Sequence, residues 1–193
     1  MNWDESIESL LQKYCDEAQT RRALHVRSYY RYKQLTSCFS IPVIVLSALS
    51  GSFQFLSKGY PKIEQMIVTC TASVSILTSI ISAVAAYLKL GQSTAAHETS
   101  SNAWLLFHNE VKHQLGLRRT KRLDAIEFLQ TCKTQYDRLF ELSPICTSNT
   151  IAQIKKKIQK HATEHFETPS YLNGFKHTVV FRTDDDSYEE NSV

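Results

Sequence analysis

The 193-residue sequence has no CxxC pair, no glycine-rich loop and, over two long stretches, no charge. Each absence removes a class of function. Glycine occurs five times and never in a motif, so no loop is built to cradle a nucleotide phosphate. The five cysteines, Cys15, Cys38, Cys70, Cys132 and Cys146, are odd in number and widely spaced. That argues against a disulfide framework and against a zinc knuckle, and reduced thiols facing a cytosol-like compartment are the simplest reading. The formal net charge of +3 is far below the dense basic face that nucleic acid requires, so no nucleic-acid partner is expected. The N-terminal MNWDESIESL lacks the basic, apolar and cleavage regions of a signal peptide, so an internal span would have to direct any membrane entry.

The same holds for catalytic chemistry. His161 and His165 are spaced i, i+4, but HATEH carries Ala162 where an HExxH site needs glutamate. No nucleophile stands beside a base. His97, His108 and Trp104 read as hydrogen-bonded packing residues. The expectation is a chain with no catalytic residue, no metal and no cofactor, and not an enzyme.

What is there is apolar length. Lys33 is followed by 24 residues without Asp, Glu, Lys or Arg, and so is Glu64. Roughly 20 residues at about 1.5 Å each cross a hydrocarbon layer of about 30 Å. A soluble amphipathic helix needs charges on its outer face every few positions. These gaps predict transmembrane helices at 37–56 and 67–88, joined by a short connector at 57–66. Arg21, Arg22, Arg27, Arg31 and Lys33 precede the first span, and Lys112, Arg118, Arg119, Lys121 and Arg122 follow the second. The positive-inside rule then puts both termini in the cytosol. Tyr29, Tyr30, Tyr32, Tyr60 and Tyr87 flank the spans, as interfacial rings do.

The spans are not uniformly apolar. At 100° per residue, Ser40, Ser47, Gly51 and Gln54 fall within about 40° of one line, and so do Thr71, Ser75, Thr78, Ser82 and Ala85 on the second span. These small and polar residues predict either a helix-packing face of the hairpin, extended to contacts in a homo-oligomer, or the lining of a hydroxyl-walled pore. Pro42, in the first turns of its span, should cost little.

Outside the spans, periodicity predicts more helix. Trp3, Ile7, Leu10, Leu11, Tyr14 and Ala18 form a stripe leading toward the first span. Leu90, Thr94, His97, Ser101, Trp104, His108, Val111 and Leu115 form another that carries the second span on to about Gly116. Thr120 is a candidate cap for a helix at about 121–142, with Ile126, Leu129, Tyr136 and Phe140 on its apolar face and Ser143-Pro144 as its stop. Ser148 or Asn149 is a candidate cap for a last helix bearing Ile151, Ile154 and Ile158. Its opposite face, Lys155, Lys156, Lys157 and Lys160, is a candidate surface for anionic lipid or an acidic partner. The expected fold is all-α: a two-helix transmembrane hairpin whose helices extend into the cytosol and pack with further cytoplasmic helices. Its regions are 1–36 (N-terminal cytoplasmic and juxtamembrane helix), 37–56 (first span), 57–66 (non-cytoplasmic connector), 67–88 (second span), 89–166 (cytoplasmic helical region) and 167–193 (flexible acidic tail).

Several segments together carry a resemblance. LHVRSYYRY at 24–32 leads into FSIPVIVLSALSG at 39–51, AAH at 95–97 stands seven residues ahead of Trp104, and YDRLFELSP closes the pattern at 136–144. Over roughly residues 3–160 the chain resembles the two-span membrane proteins encoded by nucleocytoplasmic large DNA viruses. These in turn resemble the SLATT domain, a bacterial two-helix membrane module proposed as a pore-forming effector. The chain departs from that pattern in carrying Gly91-Gln92-Ser93-Thr94 where an acidic residue is expected soon after the second span. The resemblance implies a virion membrane or host endomembrane setting. The function expected is a structural or assembly role through helix–helix oligomerisation, with the lipid bilayer and other virion proteins as partners. The alternative is an oligomeric pore-forming effector, and a third reading is a soluble helical interaction module.

Overall fold

In a computed structural model the protein is described over residues 3–57 and 63–161. The described residues are helical and contain no strand. Helix α1 spans Glu5–Ser57, α2 Glu64–Tyr87, α3 Leu90–Gly116, α4 Ala125–Leu142 and α5 Ser148–His161, with a single 3₁₀ turn at Arg119–Lys121. The expected acidic tail and His165 lie outside the described residues.

The chain runs as a long rod and back again. α1 is unbroken from the N-terminal stripe through the first charge-free stretch, and α2 returns beside it. α3 continues α2 after a break at Leu88-Lys89, where Lys89 takes the left-handed conformation at φ 49°. A side chain with a Cβ is disfavoured there, so the break is a defined joint rather than fraying. The helical continuation to Gly116 matches the sequence expectation, with this joint as the difference.

α1, α3, α4 and α5 build a four-helix stem. Its core is Leu11, Cys15 and Ala18 of α1 with Trp3 just ahead of it, Trp104, Phe107 and Val111 of α3, and Ala125, Phe128 and Cys132 of α4. Both predicted stripes are at least partly buried, except Leu10, which is exposed. Trp104 is fully buried, and its indole N–H donates to Ser143 Oγ at 2.9 Å. The Trp3 indole donates to the Leu123 carbonyl at 2.9 Å. Tyr14 stacks on Tyr136 with ring centroids 5.0 Å apart. The turn into α4 is clamped by Glu8, whose carboxylate meets Arg119 at 2.8 Å and Arg122 at 2.6 Å. Those two guanidiniums hold the Glu8 carboxyl down to about 2.

Four local expectations are corrected. α4 begins at Ala125, capped by Asp124 rather than Thr120. The Asp124 carboxylate accepts from the backbone N–H groups of Ile126 and Glu127 and sits at the positive end of the helix dipole. The inward face of α4 is Ala125, Phe128 and Cys132, flanked by Leu129, Tyr136 and Leu139, while Ile126 and Phe140 are exposed. Arg21 covers Phe140, with its guanidinium carbon 4.6 Å from the ring centroid. Pro42 lies in the interior of α1, not at a helix start. It therefore removes a donor from the middle of the ladder, at the carbonyl of Cys38. At α5 the first bonds go to the carbonyl of Thr147, from the N–H groups of Thr150 and Ile151, so Thr147 precedes the helix that Ser148 or Asn149 was expected to cap.

Candidate functional site

The hairpin comes first, because most candidate residues lie on it. Its seam on α1 is Phe39, Val43, Leu46 and Ser50, and on α2 Ile67, Thr71, Val74, Thr78, Ile81 and Ala85, each at least partly covered. Thr71 and Thr78 thus lie where the packing-face expectation put them. Ser40, Ser47, Gly51 and Gln54 of α1, and Ser75 and Ser82 of α2, are exposed. These six face away from the partner helix of the hairpin, and on α1 the seam is taken by Phe39, Val43, Leu46 and Ser50 instead. A Cβ added at Gly51 would meet nothing within 4 Å.

Most hydroxyls on α2, those of Thr69, Thr71, Ser73, Ser75, Thr78 and Ser79, are satisfied within their own helix. Thr71 Oγ1 donates to the Val68 carbonyl, Ser75 Oγ to Thr71 and Thr78 Oγ1 to Ser75, at 2.9–3.0 Å. This back-bonding lets a helix carry hydroxyls without water. At the outer end of the hairpin, Leu46, Phe53, Met66 and Cys70 are among the residues lining an apolar groove of about 310 Å³.

The basic cluster is on α5. Lys156, Lys157 and Lys160 are exposed and Lys155 is half-buried, while Ile154 is buried against α1. α5 runs antiparallel to α1. Arg31 reaches Thr147 Oγ1 at 3.2 Å, and Arg27 reaches Gln153 Oε1 at 3.0 Å. Lys157 shares a groove of about 500 Å³ with Arg22, Arg27 and Tyr30.

The most organised polar cluster is one that sequence reasoning missed. His25 of α1 and His97 of α3 are both buried, and their Nδ1 atoms are 3.0 Å apart. Cys146, in the turn before α5, brings its Sγ to 3.9 Å from His25 Nδ1. Ser28 Oγ donates to that sulfur at 3.8 Å, and Tyr32 stacks on the His97 ring at 5.3 Å. Burial, then the neighbouring His97 and Arg21, lowers the His25 imidazole to about 4. Burial likewise lowers His97 and raises the Cys146 thiol. The three residues come from positions 25, 97 and 146, so no local spacing announces them. The available signal was weaker: two histidines on helices that periodicity already predicted and a cysteine in the turn between the last two helices.

His108 is a packing residue, with Nδ1 3.0 Å from the Cys15 carbonyl and 3.1 Å from Cys15 Sγ. All five cysteines are free. Comparison of the chain with protein-family models, with curated protein sequences and with solved structures returned no match.

Proposed function

We propose that the protein is an integral membrane protein with two spans, which oligomerises in the bilayer and presents its helical stem to other proteins on the side of its termini. The observation that carries this is exposure. Across residues 37–55 no side chain is buried, and across 63–88 only Thr78 is. Ile44, Phe55, Ile76 and Leu77 are all more than half exposed. Contiguous apolar surface of this extent is rare on a soluble monomer, and a core helix of a soluble protein would be covered. Both helices are long and apolar enough to cross a membrane. Alkaline carbonate extraction of membranes from expressing cells tests the reading: the chain should stay in the pellet, and release into the supernatant would overturn it.

Ser47 and Gly51, outward-facing and one turn apart, form a small-x-x-x-small pair that supports contact between copies. Gly51→Leu should shift the detergent-solubilised protein toward monomer in cross-linking. An unchanged oligomer would move the contact elsewhere.

The α5 lysines favour a protein partner over lipid. Arg31 stands six residues before the first span, and α5 runs away from it. At about 1.5 Å per residue, Lys160 lies roughly 30 Å from the span start, several Debye lengths at physiological salt. The resemblance to viral two-span proteins supports a virion or host-derived membrane setting and an assembly role. Abundance in purified particles would test that. The second reading, a pore, is favoured by the outward hydroxyls Ser75 and Ser82. Under it, liposomes carrying the protein leak, and Ser75→Leu or Ser82→Leu stops the leak.

A further inference from the structure

We propose that His25, His97 and Cys146 form a zinc site, with two imidazole Nδ1 atoms and one thiolate as ligands and a fourth position for water. The metal would staple the 143–147 turn to α1 and α3.

Two of the three ligand separations are close to what zinc needs, and the ligand atoms of His25, His97 and Cys146 all lie within 4.8 Å of one another. In a tetrahedron with Zn–N near 2.0–2.1 Å and Zn–S near 2.3 Å, two nitrogens stand about 3.3 Å apart and nitrogen and sulfur about 3.6 Å. The protein has 3.0 Å between the Nδ1 atoms and 3.9 Å from His25 Nδ1 to Cys146 Sγ. Shifts of a few tenths of an ångström, within side-chain freedom, bring these two separations to the zinc values.

The surroundings fit the same role. The Ser28 hydroxyl donates to the sulfur, the contact that holds a coordinating thiolate in place. Tyr32 fixes the plane of the His97 ring. A histidine pair sharing one proton explains the 3.0 Å contact alone. It does not explain why a thiol and a hydroxyl aimed at it close the same pocket. Soft thiolate with imidazole selects zinc over magnesium or calcium. Binding is balanced by release of one proton, from the Cys146 thiol to solvent, since both imidazoles bind as neutral ligands. The three ligands come from α1, α3 and the α4–α5 turn, so the metal would close long loops of chain and tie α5 to the stem.

The test uses the full chain in detergent, purified without a histidine tag or metal column. Chelator-stripped protein is titrated with zinc, and with cobalt as a spectroscopic probe. The expected result is one zinc per chain and a thiolate-to-cobalt charge-transfer band. Cys146→Ser should abolish the band and weaken binding by more than the 10–100-fold typical of losing a supporting hydrogen bond. His161→Ala combined with His165→Ala should leave both intact, which separates this site from the i, i+4 pair in the tail. Zinc should also protect Cys146 of the unaltered chain from alkylation, a readout that needs no variant to fold. The proposal fails if the stripped chain takes up no zinc. It also fails if Cys146→Ser binds as tightly as the parent, or if the tail variant loses the metal.

Discussion

The stem and the hairpin are made of the same kind of helix but use it oppositely. In the stem, Leu11, Trp104 and Val111 are fully enclosed by other helices, and the polar groups that go in with them have partners. In the hairpin, side chains of equal hydrophobicity point outward, and among the described residues 37–55 and 63–88 only Thr78 is enclosed. The stem thus carries a core of its own. Under the proposed function the hairpin leaves its burial to lipid or to further copies, and most α2 hydroxyls are bonded to their own helix. The contrast shows that hydrophobicity and burial are separate variables, linked by whichever solvent surrounds each region.

The sharpest way to break the comparison is Trp104→Ala. Losing a buried tryptophan should cost the stem about 3–5 kcal/mol, seen as early loss of protease resistance, while carbonate-resistant membrane association persists. The reverse experiment is Ile76→Lys. A lysine near the centre of a span costs about 3 kcal/mol of insertion, so membrane integration should fall while a stem that does insert stays folded. An equal effect of both changes on insertion would erase the distinction between the regions. Asp124→Ala should be milder, about 1 kcal/mol from a lost helix cap, with amide exchange rising first at the start of α4.

The smallest effect concerns Glu8. Its folded carboxyl is held at about 2, below its ordinary 4.5. The stability it adds is therefore present above pH 4.5 and lost as pH falls from 4.5 toward 2. Glu8→Gln should cost up to about 1 kcal/mol at neutral pH, discounted because the pair is partly exposed. Its stability curve and that of the parent should draw together from pH 4.5 downward and meet only at about pH 2. The hairpin, with no ionisable carboxylate between Ser37 and Leu56, should be insensitive over the same range.

Much of the architecture was legible because it rests on local patterns. The charge gaps marked the hairpin, and the step of three and four from Leu90 to Leu115 marked α3. Faces were harder. On α4 the large side chains Ile126 and Phe140 drew attention, yet small Ala125 and Cys132 sit inside, because a tight helix contact selects for fit and not for size. Likewise the serines of α1 formed a line without forming the seam. Periodicity reports which residues share a side, but not which neighbour that side meets. The His25–His97–Cys146 cluster was beyond reach for a different reason. It exists only once α1, α3 and the turn at 143–147 are brought together, and the sequence separations of 72 and 121 residues carry no trace of that.

The break at Lys89 has a mechanical consequence. One leg of the molecule, α1, is a single helix of 53 residues whose ladder lacks one donor, at Pro42. The other is two shafts meeting at a left-handed residue. A twist applied to the stem should therefore pass along the first leg more directly than along the second, and turn one apolar helix against its neighbour rather than rotate the pair as a block.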